Sequence, residues 1–293
     1  MPDFLQQNID ITELSNFKTS AKTRYYFEIN TEKDVEKLVE LIEYIRKEKL
    51  NFLFVWWWTN MLFAFDIYDW IVIKNNLNWW TYSKYTKILE VYSNENISDI
   101  AKSLEVDYSQ NLWHRFIWLP WTIWWAVYWN AWCFWLETEN NFMEAGVLNL
   151  DNWKKEILSK KEMCFEYRNS LIKKLWNYFL INVKFDFSRK IEKYSSEVDN
   201  IYFRENKQPK GNTCGSFFKN PSKEQSAWKL IEEVWLKWHK IWWAYFSSLH
   251  ANFLMNDNWW NYKDLLNIIS LAQQKVKENF YLDLIPEVRI INN

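Results

Sequence analysis

Three polar side chains lie in short segments whose composition can support chemistry. Arg168 lies in EYRNS, and a guanidinium group can hold both oxygens of one carboxylate. Ser216 lies in GNTCGSFFKNP, where a hydroxyl with suitable surroundings can deliver a proton, and Glu287 lies in PEVRII near the end of the chain. Taken alone, each has an ordinary interpretation: a paired surface arginine, a turn serine and a solvated glutamate. The three positions are far apart in sequence, so their convergence does not follow from the residues alone.

Glycine and tryptophan occur in abnormal proportions. A chain of 293 residues ordinarily holds about 20 glycines, whereas this one holds 3 glycines and 23 tryptophans. The tryptophans stand where glycine is usual, at the ends of apolar runs and beside turn residues, as in VWWWTN, NWWT and DNWWN. We hypothesise that the native protein carries glycine there, as in lineages that read the codon UGA as glycine. The alternative is a protein that is truly rich in tryptophan.

Two segments become glycine-rich loops when glycine replaces tryptophan. Residues 51–62 then read NFLFVGGGTNML, and residues 118–132 read GLPGTIGGAVYGNAG. Such loops expose backbone N–H groups that can bind a pyrophosphate without any net positive charge. One GGG alone is more often a tight turn, but two loops followed by TN and NAG are much more specific.

Together these segments resemble the UDP-N-acetylenolpyruvoylglucosamine reductases (MurB), and the likeness extends over nearly the whole chain. EYRNS is similar to the family's YR(D/N)S segment, GNTCGSFFKNP to its (S/C)GSxFxNP segment, and PEVRII to its closing strand. Cys214, just before the Gly-Ser pair, is typical of the family's shorter subgroup.

The resemblance implies reduction of UDP-N-acetylglucosamine enolpyruvate to UDP-N-acetylmuramate in peptidoglycan precursor synthesis, with bound FAD, NADPH as the hydride donor, and no metal. It implies that Arg168 meets the substrate carboxylate, that Ser216 is the general acid, and that Glu287 stabilises the developing enol form. FAD contacts are expected at Trp56, Trp57, Trp58, Thr59, Asn60, Trp118, Pro120, Trp121, Thr122, Trp124, Trp125 and Ala126. Substrate contacts are expected at Tyr167, Lys219, Asn220 and His250.

Hydrophobic periodicity predicts a mixture of strands and helices, which indicates the α+β class. Strands are predicted at residues 24–29, 51–55, 70–74, 88–92, 179–187, 244–246 and 287–291. Helices are predicted at residues 31–47, 98–104, 188–206, 226–234 and 262–280, with a helical turn at 154–162. The first helix has Thr31 as its N-cap and Asp34 three residues later.

The resemblance refines this class to a two-subdomain FAD-binding unit of the PCMH / vanillyl-alcohol-oxidase type, followed by a C-terminal α+β substrate-binding domain. The expected divisions are residues 1–74 and 75–200 for the two FAD-binding subdomains, and 201–293 for the C-terminal domain. The last strand is expected to return to the active site.

Composition argues against several other classes. The 37 acidic and 36 basic residues nearly cancel, so no global field favours nucleic acid. Cys133, Cys164 and Cys214 form no CxxC pair, which argues against disulfides and zinc and favours a reducing compartment. Residues 112–136 are apolar enough to suggest a membrane span, but polar residues interrupt them and tryptophan concentrates at bilayer interfaces. We therefore expect a cytoplasmic monomer with a small-molecule UDP-sugar substrate, no secretory signal, and no nucleic-acid or membrane partner.

Two alternatives remain. One is another FAD-dependent oxidoreductase of the same fold with a different substrate domain, against which the GSFFKNP and PEVRII segments argue. The other is a non-catalytic tryptophan-rich protein whose rings stack on sugars or lie among lipid headgroups. We also expect that a chain with tryptophan in both loops does not bind FAD, because indoles occupy the ligand's volume and disfavour the required backbone angles.

Overall fold

The computed structural model describes residues 1–55, 60–119, 121–133, 135–175, 177–189, 209–222, 224–257 and 261–293. Nearly all of the helix predicted at residues 188–206 lies outside this part of the chain. The same holds for five of the expected FAD contacts: Trp56, Trp57, Trp58, Thr59 and Pro120.

Strands and helices are mixed along the described chain. The strands are β1 Gln6–Asp10, β2 Lys22–Ile29, β3 Phe52–Val55, β4 Met61–Phe63, β5 Ile67–Asn75, β6 Trp80–Tyr82, β7 Ile88–Tyr92, β8 Trp132–Cys133, β9 Leu136–Glu137, β10 Phe142–Asn149, β11 Lys155–Ser159, β12 Tyr178–Asp186, β13 Lys240–Ile241, β14 Ala244–Phe246, β15 Leu254–Asn256 and β16 Arg289–Ile291. The helices are α1 Glu32–Glu48, α2 Ile97–Tyr108, α3 Ile123–Tyr128, α4 Thr138–Asn141, α5 Leu171–Leu175, α6 Ala227–Glu233 and α7 Tyr262–Phe280. Short 3-10 turns cover Thr12–Leu14 and His114–Phe116.

The chain divides into two compact units. Unit one comprises residues 1–2, 28–50 and 73–201, and unit two comprises residues 3–27, 51–72 and 202–293. Strands β2 and β5 each cross this division.

Unit one contains a five-stranded antiparallel sheet in the order β11-β10-β12-β7-β6. The central strand β12 buries alternate apolar side chains, and Val183 faces Val91 on one neighbouring strand and Ala145 on the other. Gly146 faces Asn182, whose side-chain oxygen would collide with any Cβ placed at that glycine. A larger residue at position 146 would therefore force the Asn182 side chain to move.

Unit two combines three strand groups with two helices. The order of its four-stranded sheet is β1-β2-β5-β3, that of its three-stranded sheet is β13-β14-β15, and β16 pairs in parallel with β4. A core forms between helices α6 and α7 and the aromatic side chains of Phe217, Phe218 and Phe246. Because Phe217 and Phe218 belong to this core, their packing fixes the backbone next to Ser216.

Most of the elements predicted from periodicity are present. Helix α1 starts at the predicted capping box, in which the Asp34 carboxylate accepts a 2.9 Å hydrogen bond from the Thr31 N–H. The predicted helical turn at residues 154–162 is wrong, because this segment forms strand β11 through pairing with β10. Helix α3 lies within the segment expected to be a glycine-rich loop, and Glu287 precedes β16 and is not part of it.

Among the described residues, six tryptophans have a left-handed backbone. Their φ angles lie between 50° and 69°, a region that bulky side chains rarely adopt: Trp118, Trp135, Trp153, Trp235, Trp238 and Trp242. Gly211 and Gly215 also have positive φ, of 124° and 87°. Glycine reaches this region without steric cost, so the backbone at these tryptophans suits glycine better than the indole it carries.

Candidate functional site

Two predicted catalytic residues of unit two lie on hydrogen-bonded segments. The Glu287 N–H donates to the carbonyl oxygen of Phe217, the residue after Ser216, at 2.7 Å. The pairing continues, because the Lys219 N–H donates to the carbonyl of Ile285 at 2.9 Å. The structure thus brings together the segments of Ser216 and Glu287, which are 71 positions apart in the chain.

The hydroxyl of Ser216 is available for a ligand. The residue is partly buried, and none of the described residues forms a hydrogen bond with its side chain. Cys214, two residues earlier, is different: burial raises the pKa of its thiol well above the ordinary value. Cys214 therefore stays a neutral thiol near pH 7.

Asn252 is a buried residue of this site that the sequence interpretation missed. Its side-chain oxygen accepts from the Phe218 N–H at 2.9 Å, and its side-chain nitrogen donates to the Phe218 carbonyl at 2.8 Å. Its own carbonyl accepts from the Phe217 N–H at 2.7 Å. The stretch HANF, next to the predicted His250, was the sequence signal that could have indicated it.

The predicted substrate contacts of unit two differ in their surroundings. Lys219 is exposed, and the side-chain oxygen of exposed Asn220 accepts a 3.0 Å hydrogen bond from the Ala227 N–H at the start of α6. The Nδ1 of His250 accepts from the Asn252 N–H at 3.3 Å, which assigns the imidazole proton to Nε2. Burial, and secondarily the charge of Lys237, lowers the pKa of His250, so the ring is neutral near pH 7.

Arg168 of unit one lies in a tight turn. Glu166 and Asn169 exchange two backbone hydrogen bonds of 3.1 and 3.0 Å, and Arg168 between them has a φ of 56°. The Arg168 Cζ lies 5.9 Å from the ring centroid of Trp121, and Tyr167 is exposed. A non-glycine residue held in the left-handed region is typical of functional sites, where the surroundings stabilise an unfavourable backbone.

Asn130 fastens this turn to the segment expected to bind FAD. It is buried, and its side-chain nitrogen donates to the Glu137 carboxylate at 2.9 Å and to the Glu166 carbonyl at 3.2 Å. Its side-chain oxygen accepts from the Glu139 N–H at 3.0 Å. Burial is the main reason why the pKa of Glu137 is raised, and nearby Arg168 acts in the opposite direction.

Most described backbone N–H groups of the segment from Trp118 to Ala126 already have acceptors within the protein. The N–H groups of Trp118 and Trp124 donate to the Ser98 hydroxyl and the Ser93 carbonyl, both at 2.7 Å. Thr122 is the N-cap of α3 and accepts from the Trp125 N–H at 3.4 Å. The indoles of Trp124 and Trp125 are buried. With indoles at these positions the segment does not fit a phosphate-binding loop.

Two other residues that are predicted to contact a ligand each have a buried polar atom able to bind one. The side-chain oxygen of Asn60 in unit two and Nη1 of Arg168 in unit one are buried and have no hydrogen-bond partner among the described residues. Buried polar atoms normally have partners, so an atom without one suggests a group that binds there. Asn60 is otherwise well fixed, since its carbonyl accepts from the Arg289 N–H at 3.0 Å.

Other site classes find no support in the described ranges. No group of three or more His, Cys, Asp or Glu side chains there is arranged to hold a metal ion. None of the helices in those ranges combines the length and the apolar character needed to cross a bilayer.

Comparison with known proteins finds a family profile and a solved structure that match the chain. The family profile of the UDP-N-acetylenolpyruvoylglucosamine reductase C-terminal domain matches residues 207–291. The crystal structure of UDP-N-acetylenolpyruvylglucosamine reductase (MurB) from Thermus caldophilus matches with a TM-score of 0.75 over 99% of this chain and 100% of that one, at 20% sequence identity, which shows the fold.

Sequence relatives carry the same name. UDP-N-acetylenolpyruvoylglucosamine reductase of Clostridium botulinum (strain Alaska E43 / Type E3) is 31% identical over 98% of this chain and 93% of its own length. The Aquifex aeolicus reductase is 26% identical over 98% and 95%, and a Prochlorococcus marinus reductase is 35% identical over a segment covering 59% of each chain.

These likenesses define the chain as an α+β oxidoreductase, which confirms the predicted fold class. The chain belongs to the UDP-N-acetylenolpyruvoylglucosamine reductase family, as the sequence resemblance indicated.

Proposed function

We propose that the protein reduces UDP-N-acetylglucosamine enolpyruvate to UDP-N-acetylmuramate in peptidoglycan precursor synthesis. The observation that carries this proposal is the hydrogen bond from the Glu287 N–H to the Phe217 carbonyl, which joins the segments of Ser216 and Glu287 in a chain of this family. When bound, FAD would supply the hydride for the substrate, and NADPH would supply the hydride that reduces FAD again.

The chain's own residues bind the substrate and move one proton. Reduction of the enol ether adds a hydride to the terminal carbon and a proton to the carbon beside the carboxylate. The Ser216 hydroxyl donates that proton and regains one from water, while the Arg168 guanidinium holds the carboxylate oxygens. Glu287 stabilises the enol form of the carboxylate as charge develops on it, either as a proton donor or through a water. Tyr167, Lys219, Asn220 and His250 contact the substrate or NADPH phosphates.

The native protein, in this proposal, carries glycine at its tryptophan positions. The support comes from the six tryptophans with φ between 50° and 69° and from the buried indoles of Trp124 and Trp125 in a segment expected to contact FAD. With glycine there, FAD contacts the backbone of the glycine positions in both loops. The other proposed contacts are Thr59, Asn60, Pro120, Thr122 and Ala126. Residues 1–74 and 75–200 then serve FAD and residues 201–293 the substrate, in a cytoplasmic monomer.

The test compares two versions of the chain. One is made with tryptophan at all 23 positions, the other with glycine at all of them. We expect only the glycine version to purify with FAD and to oxidise NADPH when UDP-N-acetylglucosamine enolpyruvate is added. A glycine version that binds FAD but does not reduce this substrate would favour another flavin oxidoreductase of the same fold. A tryptophan version that binds stoichiometric FAD would contradict the glycine assignment.

A further inference from the structure

Asn252 makes an unusual set of hydrogen bonds next to Ser216. Its side-chain amide bonds to both the N–H and the carbonyl of Phe218, at 2.9 and 2.8 Å, and its carbonyl bonds to the Phe217 N–H at 2.7 Å. Asn252 is only 3% exposed. Three hydrogen bonds thus fix the two residues that follow the proposed proton donor.

The same two residues also hold the backbone of the Glu287 segment. The Phe217 carbonyl accepts from the Glu287 N–H at 2.7 Å, and Phe218 pairs with Pro286. Ser216 itself pairs with Phe253, the residue after Asn252. A shift of Asn252 would therefore move Ser216 relative to Glu287 without removing either side chain.

We infer that Asn252 is a positioning residue that sets the Ser216 hydroxyl against Glu287 and the substrate. The inference rests on the proposed function, because it gives Ser216 the role of proton donor. A positioned group loses rate steeply when it moves, by about 100-fold for a displacement of about 1 Å. Asn252 touches neither substrate nor cofactor in this account and acts only through the backbone that carries Ser216.

The chain offers a matched control four residues later. Asn256 is also 3% exposed, and its side-chain nitrogen donates to the Phe17 carbonyl at 2.7 Å. It belongs to the same segment of unit two, but its side chain has no bond to Phe217 or Phe218. A merely structural asparagine should behave like Asn256.

The experiment uses the glycine version of the full chain with the substitutions Asn252→Ala, Asn252→Asp and Asn256→Ala. We expect Asn252→Ala to lower kcat by about 100-fold while KM for the UDP-sugar stays within about twofold. The rate of flavin reduction by NADPH should not change. Asn252→Asp keeps the acceptor for the Phe218 N–H, so its kcat should lie between those of Asn252→Ala and the parent.

Amide hydrogen exchange supplies a readout that does not depend on activity. Exchange at Phe218, whose N–H donates to the Asn252 side chain, should accelerate in Asn252→Ala and stay at the parent rate in Asn256→Ala. Equal losses of kcat in Asn252→Ala and Asn256→Ala would overturn the inference, and so would unchanged exchange in Asn252→Ala. If Asn252→Ala does not fold, Asn252→Asp decides between the same outcomes. A parent chain that does not reduce the UDP-sugar would refute the proposed function. The exchange comparison would still test whether the Asn252 side chain holds the Phe218 backbone.

Discussion

Glu287 and Phe217 are joined by a 2.7 Å hydrogen bond from the glutamate N–H to the phenylalanine carbonyl. The bond is made by backbone atoms, so it does not depend on the protonation of the Glu287 carboxyl. Substitutions of the Ser216 or Glu287 side chain should therefore change the chemistry and leave the pairing of the two segments intact.

Replacing Ser216 with alanine should remove the proton donor and little else. General acid catalysis typically contributes about 10² to 10⁴ in rate, and we expect kcat of the glycine version to fall within that range. Reduction of the flavin by NADPH in the absence of the UDP-sugar should keep its rate, which stopped-flow absorbance can measure. A Ser216→Ala variant with the parent's kcat would remove Ser216 from the mechanism.

Arg168→Lys should weaken binding of the substrate carboxylate. A lysine keeps the charge but loses the planar fork, so kcat/KM should fall by about 10- to 100-fold. Arg46→Lys is the control, because Arg46 is also an arginine of unit one, but it forms an exposed ion pair with Asp151 and is not a predicted substrate contact. Steady-state kinetics of the two variants should differ, and equal effects would show that Arg168 has no specific role.

Glycine at the left-handed tryptophans should stabilise the tryptophan version of the chain. Trp235, Trp238 and Trp242 are 87%, 71% and 78% exposed, so removing their indoles sacrifices little packing and relieves backbone strain of about 1 kcal/mol at each position. Phe185→Ala is the contrasting control: this ring is fully buried and packs on Phe142, so its removal should cost about 3 kcal/mol or more. Urea unfolding measures both. If the three exposed replacements destabilise the chain, the backbone argument for glycine is wrong.

The stability of unit two should depend on the ionisation of His250. Burial holds the folded-state pKa below the ordinary value of 6.5, so between these two pKa values the unfolded chain binds more protons than the folded one. The free energy of unfolding should therefore decrease as the pH falls through 6.5 and level off below the folded pKa. Protonation also removes the Nδ1 acceptor of the Asn252 N–H.

His250→Gln should remove this part of the pH dependence. Urea unfolding between about pH 5 and about pH 7.5 covers the window in which histidines titrate. His114 and His239 are present in both proteins and so cancel in the comparison. The same slope in both proteins would contradict the assignment to His250.

Local signals were enough to predict the elements that local sequence controls. Thr31 and Asp34 cap helix α1 where the capping pattern indicated, because both partners lie within one turn. Lys155–Ser159 forms a strand despite its lysine-rich helical appearance, because its pairing with Phe142–Asn149 is a non-local contact that propensity does not encode.

The candidate site was likewise predictable only in part, since motifs indicated residues and the non-local contacts needed the structure. Motifs identified Ser216, Arg168 and Glu287, but the hydrogen bond that brings Glu287 to Phe217 joins residues 70 positions apart. Asn252 and Asn130 were missed because a buried amide has no distinctive spacing; its role becomes visible only through the backbone groups that it bonds.

The parallel pairing of β16 with β4 joins residues 289–291 to residues 61–63, and the Asn293 side chain adds a 2.7 Å hydrogen bond to the Ile67 carbonyl. Because these partners are more than 220 positions apart, the pairing closes a very long loop and belongs to the slow, late events of folding. A ribosome that stops short of residue 289 releases a chain that has its Ser216 segment but lacks the strand that anchors Glu287.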